Sequence, residues 1–330
     1  MPTAPDRRGD SPSGFAFSIG AYLLWGALPL YFLLLAPSGP FEIVAFRILM
    51  SLAFCALLLT ATRAWRPFLA LLRDGRVLGT MALAGVLIYV NWQTYVIAIT
   101  SGRVIEGALG YFINPLVTVL LGVLVLRERL RVAQWAAIGI ATVAILVIAL
   151  GYGEFPWISL ALAFSFGLYG FIKKRVGDRI DAVSGLTLET LWLAPVAAVQ
   201  LVVVGLVSGL VVGSAGAGHV AAMIGAGVVT AIPLLLFAAG ARRLRLVTIG
   251  LVQFFAPVIQ FLIGVIVLRE PMPLERWIGF GLVWLALAVL VVDMVRSSRT
   301  SRSARAAVAT DPAVAEAAWA EADLGTEPRP

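Results

Sequence analysis

Ten long apolar stretches dominate this chain and leave few folds open to it. As helices, all ten are long enough to cross a bilayer or nearly so. They cover residues 16–35, 41–61, 77–99, 104–126, 132–151, 155–172, 184–207, 219–240, 246–268 and 275–293. A continuous apolar run satisfies its backbone hydrogen bonds in lipid only as a helix. The sequence therefore predicts an all-α membrane protein with ten transmembrane helices.

The composition also indicates that the chain is embedded in a lipid membrane. The chain is 61% hydrophobic and 13% charged, with a mean hydropathy of +0.97. A water-soluble domain of this length could not bury so much apolar surface. The two ends differ from the body: residues 1–15 are polar and we expect no cleavable signal peptide there, whereas residues 297–330 have the composition of a disordered tail.

The basic residues predict an orientation. With the N-terminus taken as cytoplasmic, and leaving out Arg329 in the distant tail, 20 Lys and Arg residues fall in the tails and loops on that side and only 3 in loops on the other side. Cytoplasmic loops of membrane proteins carry such an excess of positive charge. We therefore expect both termini to be cytoplasmic, with the first part of the C-terminal tail near anionic lipid headgroups.

An internal repeat organises the apolar stretches. Residues 112–139 reappear as residues 254–281 at a constant offset of 142, with 11 identities in 28 positions. The identical residues include Pro115 and Pro257, and Trp135 and Trp277 fall into the same register. A repeat of this length indicates a duplicated unit.

The two copies are predicted to lie upside down relative to each other. Each copy has five apolar stretches, an odd number, in residues 16–151 and 155–293. The loop at 127–131 is basic, whereas its repeat partner at 269–276 has balanced charge. Inverted repeats of this kind are typical of secondary transporters, whose substrate site lies near the midplane between the copies.

Charged side chains within the apolar stretches are candidate functional residues, because a charge at the bilayer centre costs between about 2.5 and more than 10 kcal/mol. Arg47 either pairs with a carboxylate or backbone carbonyl for structure, or forms a cationic wall for an anionic or zwitterionic substrate. Glu189 is a candidate proton carrier or the partner of Lys173 or Lys174. Glu42 is a second candidate for proton coupling.

Uncharged polar residues cluster in the third apolar stretch. Asn91 and Tyr95 are four residues apart and share a helix face, with Trp92 beside them. They could line a polar cavity or form hydrogen bonds between helices.

Prolines interrupt equivalent places in the two copies. Pro115 follows Asn114, with Tyr111 one turn earlier, and its repeat partner Pro257 lies near Gln253. Interrupted helices in both halves of a transporter point to a binding site, although they could equally be kinks needed for packing. The residues expected to contact substrate are Trp25, Arg47, Asn91, Trp92, Tyr95, Tyr111, Asn114, Tyr169 and Gln253.

The sequence lacks the residues that several classes of function require. The chain has one cysteine, Cys55, and one histidine, His219, so we expect no disulfide and no Cys/His metal site. We interpret Cys55 as a core residue and His219 as an exposed loop residue. Catalytic clusters and phosphate-binding loops are absent from the sequence, so we expect no enzyme and no cofactor. The expected partners are a small-molecule substrate and membrane lipids, with a homodimer left open and no nucleic acid.

Several motifs are similar to those of the RarD group of the EamA family, in the drug/metabolite transporter superfamily. They are Leu109–Val117, Glu128-Arg129, Gln134-Trp135, Leu162–Phe166 with Tyr169-Gly170, Glu189-Thr190 with Trp192-Leu193, and Arg243–Leu246. The resemblance covers about residues 15–295. It implies two inverted five-helix EamA repeats in the bacterial plasma membrane, with helices 1–4 and 6–9 around a central cavity.

The resemblance also implies the transport of small metabolites, and members of the group carry the description chloramphenicol-sensitive protein. The halves differ at Asn114, which meets Ala256, so they need not contribute equally to a site. A channel-like facilitator and a membrane scaffold without transport activity stay open as alternatives.

Overall fold

The computed structural model describes residues 11–126, 130–152, 155–176, 180–241, 243–244, 248 and 252–310. Within these residues the chain is helical and contains no β-strand. The helices are α1 (Pro12–Leu33), α2 (Pro40–Ala61), α3 (Trp65–Leu71), α4 (Gly75–Thr100), α5 (Val104–Leu126), α6 (Val132–Tyr152), α7 (Trp157–Val176), α8 (Ala182–Val207), α9 (Ala217–Ala241), α10 (Phe255–Leu262) and α11 (Leu274–Thr310). Helix α10 continues as a π-helical turn, Ile263–Val267.

Eight of these helices are long and apolar enough to cross a membrane: α1, α2, α4, α5, α6, α8, α9 and α11. Two further apolar helices, over residues 157–173 and 255–267, are shorter than a full span. The predicted class, an all-α membrane protein, is confirmed. The number of ten transmembrane helices stays a prediction.

Side chains before the first turns explain where several helices begin. Ser11 accepts a hydrogen bond from the backbone N–H of Gly14 at the start of α1. Asp74 and Asp181 each accept two backbone N–H groups at the starts of α4 and α8. Burial acts to raise the pKa of Asp181, but hydrogen bonds from the side chain and backbone of Ser184 hold that pKa below its ordinary value.

Packing between the helices mixes the two predicted halves. Helix α2 packs against α8 and α9, α4 against α7 and α8, and α1 against α9 and α10. Helix α5 packs against α7 and α10, while α6 packs along α11. The largest apolar core therefore lies between α2 and α4 of the first half and α7, α8 and α9 of the second.

Small residues allow the closest of these contacts. A Cβ atom added to Gly227 on α9 would overlap the backbone carbonyl of Met50 on α2. A Cβ atom at Gly240 would overlap the Ser18 hydroxyl on α1. Glycine at these positions lets α9 lie directly against the backbones of α2 and α1.

Helices extend beyond the spans predicted at both ends of the chain. Helix α11 continues through residues 297–310, at the start of the segment for which the sequence predicts disorder. Residues 311–330 lie outside the described residues, so the disordered tail stays a prediction. Helix α1 begins at Pro12, inside the predicted N-terminal tail of residues 1–15.

His219, expected in an exposed loop, is buried in the first turn of α9. Its Nε2 atom lies 3.0 Å from the Leu35 carbonyl and 3.3 Å from the Ser38 hydroxyl. The imidazole therefore joins α9 to the connection between α1 and α2. Cys55 is buried and free, as predicted.

Candidate functional site

The Arg47 side chain lies in the core between the two predicted halves. Only 4% of this residue is exposed. Its Nε atom donates a 3.0 Å hydrogen bond to the Thr230 hydroxyl on α9. The guanidinium carbon lies 4.2 Å from the centre of the Trp92 ring on α4 and 5.3 Å from that of Phe32 on α1. Three helices other than α2 thus surround this charge, and two of them do so with aromatic faces.

Asn91 ties α4 to two neighbouring helices. Its amide nitrogen donates to the Leu162 carbonyl at 3.3 Å and to the Ser165 hydroxyl at 3.2 Å, both on α7. Its amide oxygen accepts a 3.0 Å hydrogen bond from the Tyr111 hydroxyl on α5. Asn91 thus forms hydrogen bonds between helices, which is one of the two roles predicted for the polar residues on α4. Its neighbour Trp92 contacts the buried charge of Arg47.

A row of aromatic rings runs through this part of the core. Edge-to-face contacts join Phe32 to Tyr95 (6.2 Å between ring centres), Tyr95 to Tyr111 (5.5 Å) and Tyr111 to Phe166 (5.9 Å). Phe166 then meets Tyr169 at 6.0 Å. The rings come from α1, α4, α5 and α7 and connect the surroundings of Arg47 with those of Glu189.

Glu189 lies at the other end of this aromatic row, on α8. Its carboxylate accepts a 2.7 Å hydrogen bond from Lys173 and one of 3.2 Å from the Tyr169 hydroxyl. Glu189 is 1% exposed, whereas 32% of the Lys173 side chain is exposed. A Cβ atom at Gly185, one turn earlier on α8, would lie 2.7 Å from the Lys173 ammonium, so glycine leaves room for this ion pair.

Three buried polar atoms in this region have no hydrogen-bond partner among the described residues. They are Nη1 of Arg47, the hydroxyl of Tyr95 and the side-chain oxygen of Asn114. Asn114 faces α7, where a Cβ atom at Gly167 would lie 3.3 Å from that oxygen. Buried polar groups are normally satisfied, so these unsatisfied donors and acceptors are suited to a ligand.

Trp25, Glu42 and Gln253 complete the set of residues predicted for the site or for proton coupling. Trp25 packs against Tyr22 and Phe237, 5.2 and 5.7 Å between ring centres, and also against the apolar core that contains Phe32, Trp92 and Tyr95. Glu42 accepts backbone N–H groups of residues 211 and 212, after α8. Gln253 lies in the turn before α10.

Sequence reasoning missed several residues of this region. Thr230 and Phe32 contact Arg47, and Phe166 bridges Tyr111 and Tyr169. Gln260 on α10 is buried and donates to the Trp25 carbonyl at 3.1 Å. Gln260 lies in an apolar stretch, which is a signal that could have identified it; Phe32 and Phe166 are ordinary apolar residues of such stretches and carry no such signal.

Chemically, the arrangement is suited to binding rather than bond making. No group of three or more His, Cys, Asp or Glu side chains in the described parts of the chain could hold a metal ion. The region offers one buried cation, aromatic faces and unpaired hydrogen-bonding atoms. A small molecule with both polar and apolar parts matches such a lining.

A second group of polar contacts joins the predicted halves at one end of the bundle. The Glu270 carboxylate accepts the backbone N–H groups of Val104 at 2.6 Å and Ile105 at 3.0 Å, the first residues of α5. Burial raises the pKa of the Glu270 carboxyl above its ordinary value, while these two hydrogen bonds act in the opposite direction. The loop before α11 thus caps α5.

Ion pairs mark both ends of the bundle. At the start of α5, Glu106 pairs with Arg103 at 2.7 Å and lies 3.7 Å from Arg276 on α11. Arg131, before α6, pairs with Asp293 on α11 at 3.1 Å. Since Arg276 and Asp293 are separated by most of the spanning part of α11, the two ion-pair groups lie at opposite ends of that helix.

Comparison with known proteins gives this arrangement a family context. Residues 12–150 match the EamA-like transporter family. Protein RarD of Streptomyces exfoliatus is 47% identical over 289 residues, which cover 88% of this chain and 91% of that protein. Uncharacterized transporter YojE of Bacillus subtilis is 38% identical over 296 residues, or 88% of this chain and 98% of that protein. The resemblance inferred from the motifs is confirmed.

A solved crystal structure of a protein shares the fold. It covers 86% of this chain and 99% of its own with a TM-score of 0.56, at 22% sequence identity. At that identity, the likeness concerns the fold alone.

Proposed function

Because the chain belongs to the EamA family of the drug/metabolite transporter superfamily, we propose that it is a secondary active transporter that works by alternating access. The chain is a multi-pass protein of the bacterial inner membrane and a membrane transporter. The finer proposal is that two inverted halves rock around a central site and carry small metabolites or drug-like molecules.

The observation that carries this proposal is that different segments of the chain lie at the two ends of α5. The start of α5 is bound by Glu270, so the loop before α11 lies at that end of the helix. The other end of α5, residue 126, leads toward residues 127–131. Arg131, before α6, pairs with Asp293 at the other end of the spanning part of α11, so the described residues of the repeat partners 127–131 and 269–276 lie at opposite ends of the bundle, which supports inverted topology.

Ten spans remain part of the proposal. The eight long apolar helices are joined by two shorter apolar helices, residues 157–173 and 255–267, in the positions of the predicted sixth and ninth spans. Both short helices pack on α5 within the bundle. Ten crossings, with both termini cytoplasmic, agree with the distribution of Lys and Arg.

The proposed substrate site is the region around Arg47. Asn91, Trp92, Tyr95, Tyr111 and Asn114 surround or adjoin the guanidinium and the aromatic row, and Tyr169 closes the row beside Glu189. Trp25 packs against the core that contains this cluster, and the role of Gln253, in the turn before α10, stays a prediction.

Glu189 is the better candidate for proton coupling. Its carboxylate is buried, and its partner Lys173 is partly exposed, which gives protons a route to the pair. Glu42 instead caps backbone N–H groups after α8, which is a structural role.

Counterflow in proteoliposomes tests the proposal. A thermal-shift screen of the purified protein against amino acids, nucleosides and amphenicols first provides a binding compound. We expect labelled compound to enter faster when unlabelled compound is present inside, since a carrier exchanges across the membrane. Uptake that is independent of internal compound would indicate a channel, and binding without any uptake would favour a scaffold.

A further inference from the structure

The charge of Arg47 has no counter-ion in the described parts of the chain. The two buried acidic side chains considered for proton coupling are engaged elsewhere: Glu189 with Lys173, and Glu42 with backbone groups of residues 211 and 212. Arg47 also makes no hydrogen bond to a backbone carbonyl among these residues; its contacts are Thr230 and two aromatic rings. The structural alternative for Arg47, pairing with a carboxylate or carbonyl, therefore loses its support.

An unpaired buried guanidinium is costly, because aromatic faces and one hydroxyl replace only part of its hydration. Such a charge is retained where a ligand supplies the opposite charge. On this basis, and resting on the proposed transport function, we propose that the substrate carries a carboxylate that binds Arg47.

The geometry limits how that group can approach. Trp92 lies 4.2 Å from the guanidinium carbon, and Thr230 occupies Nε. Nη1 stays unpaired, and the Tyr95 hydroxyl is also unpaired and buried; Phe32 contacts both side chains. A carboxylate between them would accept from both groups, as an anion paired with arginine commonly does.

The charge count and the surrounding rings narrow the substrate class. Arg47 is the one buried cation of this region in the described chain, since Lys173 is paired with Glu189. One positive charge matches a monoanion better than a phosphate dianion. The row of rings formed by Phe32, Tyr95 and Tyr111 would contact an apolar remainder of the substrate. The inferred class is a small monocarboxylate with an apolar body.

Matched ligand sets on the purified full-length protein test this assignment. The probes are 3-phenylpropanoate, 3-phenylpropanamide and 3-phenylpropylamine, together with hexanoate, hexanamide and hexylamine, with binding measured by thermal shift and calorimetry. We expect at least one carboxylate to bind roughly tenfold or more tightly than its amide and amine, as a charge-assisted pair in a buried site should.

Three variants locate the effect. Arg47→Gln should abolish the preference for the carboxylate, and Arg47→Lys should retain it with weaker binding. Tyr95→Phe, which keeps the ring and removes only the hydroxyl, should weaken carboxylate binding several-fold and leave amide binding unchanged. Arg131→Gln, at the surface beside Asp293, is the control and should keep the wild-type preference.

The assignment is overturned if no carboxylate binds the wild type, if amides or amines bind as tightly, or if the preference survives in Arg47→Gln. Should Arg47→Gln fail to fold, unchanged carboxylate binding in Tyr95→Phe would overturn the assignment. Counterflow separates the two proposals: a carboxylate that binds through Arg47 but shows no counterflow leaves this site intact and contradicts the carrier function. Counterflow of a neutral compound, with no carboxylate that binds, would support the carrier function and contradict the carboxylate site.

Discussion

Two buried carboxylates, Glu42 and Glu189, differ in what they bind, and the difference separates their roles. Glu189 faces the Lys173 ammonium and the Tyr169 hydroxyl, whereas Glu42 accepts backbone N–H groups from the segment after α8. A carboxylate beside a partly exposed lysine can exchange its proton, while one that caps backbone groups is needed as an anion for the fold.

Glu189→Gln should therefore uncouple transport from protons. Glutamine keeps the shape and can still accept from Lys173, but it cannot take up a proton. We expect counterflow of a bound compound to persist, with accumulation driven by an imposed pH gradient reduced to the background level. The measurement is uptake into proteoliposomes with and without the gradient.

Glu42→Gln is the matched control. It should retain gradient-driven uptake but lower the unfolding free energy by about 1–3 kcal/mol, because an amide has one acceptor oxygen for two N–H groups. Gradient-driven uptake that survives in Glu189→Gln would exclude Glu189 as the coupling group.

At the residue scale, spacing along one helix indicated which side chains lie close together, whereas contacts between helices could not be predicted. Asn91, Trp92 and Tyr95 share a region, as their spacing on α4 predicted, and α2 brings Arg47 to the same place. Thr230 could not be predicted as the partner of Arg47, because 183 positions separate them in the chain. His219 was misplaced for the same reason: its partners belong to another segment.

At the scale of helices, the contact between α2 and α9 holds the Arg47 region together. Arg47 and Met50 lie on α2, and Thr230 and Gly227 lie one turn apart on α9. The hydrogen bond from Arg47 to Thr230 thus depends on the close approach at Gly227.

Gly227→Ala should force α2 and α9 apart. The new Cβ would meet backbone atoms of Met50, which cannot move away as a flexible side chain can. We expect a loss of roughly 1–3 kcal/mol or more in unfolding free energy, with weaker binding at Arg47, measured by thermal unfolding in detergent and by ligand titration.

Gly170→Ala on α7 is the control for this change. A Cβ there has open space around it, so alanine should be neutral or stabilise the helix by up to about 1 kcal/mol. Equal effects of the two substitutions would contradict the close approach of α2 and α9.

Glu270 provides a second test at this scale, since it joins the loop before α11 to the start of α5. Glu270→Ala leaves the N–H groups of Val104 and Ile105 without their acceptor. The expected loss is about 1–3 kcal/mol in unfolding free energy. Glu275→Ala, in the first turn of α11, should cost only a few tenths of a kcal/mol through the helix dipole. Similar stability of the two variants would contradict the proposed link.

At the scale of the whole molecule, helix positions were predictable and helix neighbours were not. Apolar length located the long helices closely, for example 104–126 as α5. Helix α11 runs through residues 297–310, beyond the last predicted span, because helix formation is not limited to the apolar residues by which the spans were located. Which helices touch depends on small residues such as Gly227, and their partners are specified only in the folded chain.

The central claim, that the two halves lie inverted in the membrane, can be tested with one pair of cysteines. Val132 and Leu274 are repeat partners at the offset of 142 and are 86% and 69% exposed at the starts of α6 and α11. In a Cys55→Ala background, Val132→Cys and Leu274→Cys would be treated with a membrane-impermeant maleimide on intact spheroplasts and on inside-out vesicles. We expect Leu274→Cys to react only from the outer face and Val132→Cys only from the cytoplasmic face. Reaction of both cysteines from the same face would contradict the inverted repeat and, with it, the transport mechanism.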